Sequence, residues 1–128
     1  MARLVESWEK TLKKVFDEID DVIEERFGSL YNLHPARPKR GSTANREQDG
    51  LFDIGASFSA GFGSAYGRGY VVDVGMVTLD RVPDAIKDHI QDQVVGLLRE
   101  KLPVFFSDRE LEVEKDGNVF KIIGDLSL

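Results

Sequence analysis

Residues 51–80, LFDIGASFSAGFGSAYGRGYVVDVGMVTLD, decide the fold because two segments of alternating polarity flank a glycine-rich centre. In residues 52–62 the even positions are Phe, Ile or Ala, and the odd positions are Asp, Gly or Ser. Residues 70–79 also alternate and are rich in valine. A period of two is typical of a strand with one buried face. The stretch therefore predicts a β-hairpin with an apolar even face, a nearly bare odd face and a glycine-rich tip.

The parity of these positions restricts how the two strands can pair. A two-residue turn at the centre of the tip would place Phe58 opposite Asp73 and would pair each apolar residue with a polar one. A shift of one residue places Phe58 opposite Val74 and Ala56 opposite Met76, which gives one coherent apolar face. We therefore expect this even register, with a tip of roughly seven residues or a bulge that supplies the shift.

The composition excludes several classes of protein. The chain of 128 residues has no cysteine, so disulfides, thiol catalysis and cysteine-ligated zinc or iron–sulfur sites are absent. A net charge of −6 argues against non-specific nucleic-acid binding, which requires clustered basic residues. The start, MARLVESWEK, lacks the apolar core of a signal peptide, and no apolar run reaches the roughly 18 residues of a membrane span. We expect a cytoplasmic protein that does not enter a membrane.

Residues 2–27 predict a long amphipathic helix, which Gly28 is expected to end. The apolar positions are Leu4, Val5, Trp8, Leu12, Val15, Phe16, Ile19, Val22, Ile23 and Phe27. The first half of this helix contains both signs of charge, whereas the second half is almost entirely acidic. A solvated face with local ion pairs explains this pattern. Alternatively the acidic half meets a basic partner, and antiparallel pairing with a second copy would set each acidic half against a basic half.

Residues 34–50 form a polar, proline-containing segment with basic residues at Arg37, Lys39, Arg40 and Arg46. A structureless segment of this length inside a domain is usually disordered or functional. We expect a flexible basic loop, and the alternative is an arm that docks on an acidic surface of the same or another subunit. Nucleic-acid binding through residues 37–46 is a third possibility, and it predicts an affinity that declines steeply with salt.

Residues 84–102 predict a second helix, with an apolar stripe that includes Ile86, Ile90 and Val94, and Pro103 is expected to end it. His89 lies at the border of that stripe, where a lone histidine is more often structural than a metal ligand.

The last segment predicts a second hairpin. Asp116-Gly117 is a turn signal, and a two-residue turn there would place Leu111 opposite Ile122 and Val113 opposite Phe120. In the same register Glu112 would face Lys121. Glu110, Glu112 and Glu114 alternate outward, and we interpret them as the charges that keep an edge strand soluble rather than as a metal site.

The element order α–ββ–α–ββ predicts an α+β fold, with one antiparallel sheet and two helices packed on one face of it. We expect one domain over residues 1–128, composed of an N-terminal helix (1–28), the flexible basic loop (34–50) and a ββαββ core (51–128).

The glycine-rich tip does not have the pattern of a phosphate-binding loop, because its glycines lead into another strand and no GK[ST] ending follows. The odd face of the hairpin is the better candidate surface, because glycine and serine let another group approach the backbone closely. There are three alternatives for what covers this odd face: solvent or the domain's own elements, a partner subunit, or a small ligand. The residues that would contact a ligand or partner are Asp53, Ser57, Ser59, Tyr66, Arg68 and Asp73.

The sequence identifies no catalytic residues, metal ligands or cofactor motif. His34 and His89 have no evident nucleophile nearby, and no pair of carboxylates has clearly different surroundings. We therefore favour a non-enzymatic protein-interaction or assembly module, acting as a homodimer. The alternative is a ligand-binding protein or enzyme that uses the Gly/Ser face, and it requires a concave pocket converging on Asp53, Asp73 and Arg68.

Overall fold

The residues that the structure describes form two helices and four strands in the predicted order. The computed structural model of the chain describes residues 2–45, 48–64 and 66–126. The elements are α1 (Ala2–Phe27), β1 (Phe52–Ser59), β2 (Gly69–Met76), α2 (Asp84–Phe105), β3 (Leu111–Asp116) and β4 (Val119–Gly124). The α+β class and the α–ββ–α–ββ order are confirmed.

The four strands form one antiparallel sheet in the order β1-β2-β4-β3, so that β1 and β3 are its edges. Both helices pack on the face formed by the apolar positions of the strands. The helices contribute Trp8, Leu12, Val15, Phe16, Ile19, Ile23, Ile90, Val94, Val95, Leu98 and Leu102 to the core. The sheet contributes Phe52, Ile54, Tyr70, Val72, Val113 and Ile122.

The β1–β2 register has the predicted parity but differs in its offset. Phe58 lies opposite Tyr70, and Ile54 lies opposite Val74, so apolar residues pair as expected. The expected pairings of Phe58 with Val74 and of Ala56 with Met76 are wrong by four residues. The reason is the position of the tip, because residues 60–68 lie between the two strands and centre the hairpin on residue 64, whereas the expected pairing centres it on residue 66.

The β3–β4 register is also displaced from the prediction. The central turn residues are Gly117 and Asn118, so Val113 lies opposite Ile122 rather than Phe120, and Glu114 rather than Glu112 lies opposite Lys121. Gly117 has a φ of 66°, as the first central residue of a type II′ turn requires. This register also places two fully buried side chains opposite each other.

Pro103 does not end α2, which continues to Phe105. Proline removes its own N–H bond, but the N–H of Phe106 still donates to the carbonyl oxygen of Leu102 at 2.9 Å. The Phe106 ring is buried against Trp8, with 4.4 Å between the ring centroids. Tertiary packing therefore holds the last turn despite the proline.

Candidate protein-interaction site

The odd face of the β1–β2 hairpin, here called the outer face, is turned away from the helices. Asp53 lies opposite Gly75 and Gly55 lies opposite Asp73, while the Ser57 hydroxyl is 3.5 Å from a carboxylate oxygen of Asp73. Part of this face forms an open depression whose lining includes both aspartates but not Arg68. The structure thus brings Asp53, Ser57 and Asp73 together, and the ligand-binding alternative stays a prediction.

The other candidate residues lie toward the tip of the hairpin. The Ser59 hydroxyl accepts a hydrogen bond from the N–H of Gly61 at 3.2 Å, which starts the tip's turn. Tyr66 is about half exposed, Arg68 is exposed, and the neighbouring Phe62 is 96% exposed. These residues therefore form a separate surface from the one around Asp53 and Asp73.

Lys121 of β4 anchors this tip over the outer face of the sheet. Its ammonium group donates to the carbonyl oxygen of Gly67 at 2.8 Å, to the Ser64 hydroxyl at 3.1 Å and to the Asp116 carboxylate at 2.8 Å. The side chain is only 3% exposed. It passes directly over Gly69, where an added Cβ would lie 2.6 Å from its Cγ. The domain's own tip and Lys121 thus cover the far end of the outer face, a role that sequence reasoning missed.

The two edges of the sheet differ strongly in charge. The β3 edge strand, LEVEKD, contains four charged residues out of six, which discourage pairing with another strand. The β1 edge strand, FDIGASFS, contains Asp53 as its one charged residue. It also exposes 57% of Phe58. Of the two edges, β1 is therefore the one that is chemically suited to accept a further strand.

The hydrogen bonds at the start of β1 show which backbone groups face outward. The carbonyl oxygen of Leu51 accepts the N–H of Val77 at 2.7 Å, on the β2 side. On the opposite side, the N–H of Phe52 donates to the Glu24 carboxylate at 3.2 Å, and its carbonyl oxygen accepts from Arg37 at 3.1 Å.

In an antiparallel pair, residues alternate between hydrogen-bonding toward the partner strand and pointing away from it. The N–H and C=O groups of Ile54, Ala56 and Phe58 therefore point away from β2, as those of Phe52 do. Within the described part of the chain, no hydrogen bond from outside the β1–β2 ladder reaches the backbone of these three residues. Glu24 and Arg37, which occupy the outward groups of Phe52, are here called the Glu24–Arg37 clamp. The free part of the edge thus begins just after this clamp.

A groove between α1 and β1 runs beside this free edge. Its β1 side extends from Gly55 to Phe58, and its α1 side is lined by Glu9, Lys10, Leu12, Lys13 and Phe16. The exposed Phe58 ring packs edge-on against Tyr70, with 5.6 Å between the ring centroids. The groove therefore has an apolar floor and a partly basic rim.

The basic loop contacts the acidic half of α1 in the same chain. Arg40 lies 2.8 Å from Asp20, 2.6 Å from Asp21 and 3.1 Å from Asp49. Asp49 also accepts hydrogen bonds from the backbone N–H groups of Gly41 and Thr43. These contacts correspond to the docked alternative for this segment, and the mobility of residues 34–50 in solution stays a prediction.

The pKa values of Asp20 and Asp49 are shifted in opposite directions within this cluster. Burial raises the pKa of Asp20 from 3.8 to about 7, although the nearby Arg40 charge opposes the shift. An Arg40 nitrogen is 2.8 Å from Asp20, but neither Asp20 oxygen has an aligned hydrogen bond among the described residues. Burial would also raise the pKa of Asp49, but hydrogen bonds from Thr43 and the charge of Arg40 hold it below its usual value.

The histidines take part in local contacts. The Nδ1 of His34 accepts the N–H of Ala36 at 3.0 Å, and the exposed His89 meets Phe27 edge-on. Within residues 2–45, 48–64 and 66–126, no group of three or more His, Asp and Glu side chains is placed to hold a metal ion. In the same described ranges, neither helix has the length and apolar character needed to cross a bilayer.

The fold and this site define a two-layer α+β protein with one highly charged sheet edge and one edge that contains a single charge. The chain belongs to a family described as "Uncharacterised protein", whose model matches residues 3–124. It is similar to an "Uncharacterized protein" of Borreliella burgdorferi, with 40% identity over 117 residues that cover 91% of each chain. No solved structure gives a significant match.

Replacing Lys121 with methionine should release the tip. The substitution removes the ammonium group that contacts the partly buried Asp116 carboxylate and the Gly67 carbonyl oxygen. We expect a loss of about 3–5 kcal/mol in the free energy of unfolding, as for other broken buried ion pairs. Hydrogen exchange at residues 64 and 66–68 should accelerate. The exposed Lys115→Met is the control, with an expected change within about 0.5 kcal/mol. Unchanged exchange in the tip would contradict the anchoring role.

Asp20 should make the free energy of unfolding fall as the pH rises. Its pKa is higher in the folded chain than in the unfolded chain, so its stabilising effect is complete below about pH 4 and is lost as the pH passes 7. Asp20→Asn removes this dependence, and the variant should gain stability relative to the wild type across that window. The gain cannot exceed about 1.4 kcal/mol per pH unit for one proton. Urea unfolding from pH 4.5 to 8 measures it.

Asp49→Asn is the matched control, because Asp49 is equally buried and contacts the same arginine. Its folded-state pKa is lowered, so its stabilising effect is present above about pH 4 and is lost at lower pH. This variant should therefore be less stable than the wild type by a nearly constant amount between pH 5 and 8. Parallel profiles for Asp20→Asn and the wild type would show that Asp20 does not titrate in this window.

Proposed function

We propose that the chain is a non-enzymatic protein-interaction or assembly module that acts as a homodimer and associates through the free edge of β1. The observation that carries this proposal is the contrast between the two sheet edges. The β3 edge is protected by charge, whereas the β1 edge directs three backbone N–H and C=O pairs outward without such protection.

The surroundings of the edge support the same role. Phe58 exposes more than half of its surface, and the groove beside it has an apolar floor formed by Leu12 and Phe16. Strand addition to a sheet edge obtains affinity from main-chain hydrogen bonds and specificity from adjacent side-chain pockets. The β1 edge and the α1–β1 groove supply both elements.

The outer-face residues form the second part of the proposed surface. Asp53, Ser57 and Asp73 lie beside the same edge and would remain accessible after a strand is added there, because added strands extend the sheet in its own plane. Ser59, Tyr66 and Arg68 would border the far end of the surface. We propose this set as the contacts available to a further protein partner.

Phe58→Glu should weaken self-association at least tenfold, because a two-fold interface buries the new charge in both copies. Sedimentation velocity from low to high micromolar concentration measures the effect. Phe62→Glu is the matched control, since Phe62 is 96% exposed at the tip and lies away from the β1 edge, and it should associate as the wild type does. A wild-type monomer at high micromolar concentration would remove the homodimer. A Phe58→Glu variant that still associates normally would remove the β1 edge as its surface.

A further inference from the structure

The free part of β1 is nearly self-complementary about its central residue, Ala56. The five residues from Ile54 to Phe58 read Ile-Gly-Ala-Ser-Phe, with a large apolar residue at each end and small residues between. Resting on the proposed function, we propose that a second copy of this chain pairs antiparallel with β1 about a two-fold axis at Ala56. The two sheets would then join into one of eight strands, and β1 would no longer be an edge.

The direction of the backbone groups selects this register. A two-fold axis at Ala56 places Ala56 opposite the partner subunit's Ala56, and Ile54 opposite the partner subunit's Phe58. All of these positions direct both N–H and C=O away from β2, so each pair exchanges two backbone hydrogen bonds. If the axis lay at Gly55, Phe58 would face the partner subunit's Phe52, whose outward groups are already occupied. If the axis lay at Ser57, Ile54 would face the partner subunit's Ala60, which lies beyond the end of β1.

The Glu24–Arg37 clamp defines one end of the new ladder. It occupies the outward groups of Phe52, so a further strand cannot pair there without displacing two side chains. Under the proposed two-fold axis, Phe52 lies opposite the partner subunit's Ala60, which is already beyond the end of β1. The available hydrogen-bonding groups and the proposed ladder therefore end at the same place in both copies.

The side chains also fit a second copy. Gly55, Ala56 and Ser57 place little bulk at the centre, while each Phe58 lies beside the partner subunit's Ile54 on the helix side. On the outer face, Asp53 lies opposite the partner subunit's Ser59, so the one charge of β1 does not face its own copy. Like charges directly opposite each other would destabilise the pair, and this register avoids them.

The charges of α1 favour a second copy as the occupant. α1 runs antiparallel to β1, because Glu24 contacts Phe52 near the start of the strand, and Glu9 accepts from Tyr70, which lies opposite Phe58. The two-fold axis therefore sets the two α1 helices antiparallel to each other. Lys10 at the rim of the groove then approaches the acidic second half of the partner's helix, whereas Lys13 forms an ion pair with Asp17 of its own helix at 3.1 Å. A second copy thus supplies the acidic residues that complement the basic rim.

Single cysteines test the register directly, because the chain has none of its own. In Ala56→Cys the two Cα atoms would be about 5.5 Å apart across the new ladder, within the range of a disulfide. Ser59→Cys is the matched control on the same strand, because its two copies would lie six residues out of register, about 20 Å apart. Under mild oxidation we expect at least tenfold more disulfide dimer for Ala56→Cys than for Ser59→Cys. Equal cross-linking of the two variants would overturn the register.

A second measurement covers the case in which Ala56→Cys itself dissociates the dimer. Nitroxide labels on Ser59→Cys should then give a dipolar distance near 20 Å, and a distance beyond roughly 35 Å would overturn the inference. These results are separable from the proposed function. A dimer that Phe58→Glu dissociates, but that lacks the expected cross-link and distance, retains the β1 surface and loses this register. A wild-type monomer removes the proposed homodimer itself.

Discussion

The Glu24 carboxylate connects α1 to the first strand, and much of the architecture depends on that contact. It accepts the N–H groups of both Leu51 and Phe52, at 2.7 and 3.2 Å. The contact sets the end of α1 against the beginning of the sheet, next to the buried Ile23. It also occupies the outward side of the strand at one point and leaves the following residues open. One carboxylate therefore determines both how the helix lies on the sheet and where the free edge starts.

The charge asymmetry of α1 serves two structural purposes along its length. Its acidic half holds Arg40, and with it the segment between the helix and the sheet, through the two carboxylates of Asp20 and Asp21. Its basic residues border the groove beside β1 instead. The cost of acidic residues near a helix C-terminus, a few tenths of a kcal/mol each, is offset by these ion pairs. The unusual distribution of charge along α1 thus has an explanation within a single chain as well as across two.

The local sequence pattern was sufficient to predict the helices, the strands and the face of the sheet on which each strand side chain lies. It was insufficient to predict the pairing offset within each hairpin and the arrangement of the strands in the sheet. Alternation predicted that Phe58 and Ile54 share an apolar face, because side-chain direction depends only on parity. The offset depends on which residue lies at the centre of the tip, and Lys121, 57 residues from Ser64, helps to hold that tip. The candidate edge was missed because the alternation within β1 does not show whether a further strand pairs on its other side. Long-range contacts, which sequence periodicity does not encode, account for both differences.

The position of Lys121 has a consequence for the order in which the chain can fold. β2 pairs with β4 only through residues 70–72, and the tip of the first hairpin is held from the same strand. Contacts between distant positions form late, because the entropy of closing the intervening loop must be overcome first. The two strands of the first hairpin can therefore pair early, because they are close in sequence. The tip of this hairpin acquires its final conformation only after β4 is in place. During synthesis, the inner edge of β2 stays open until β4 has left the ribosome.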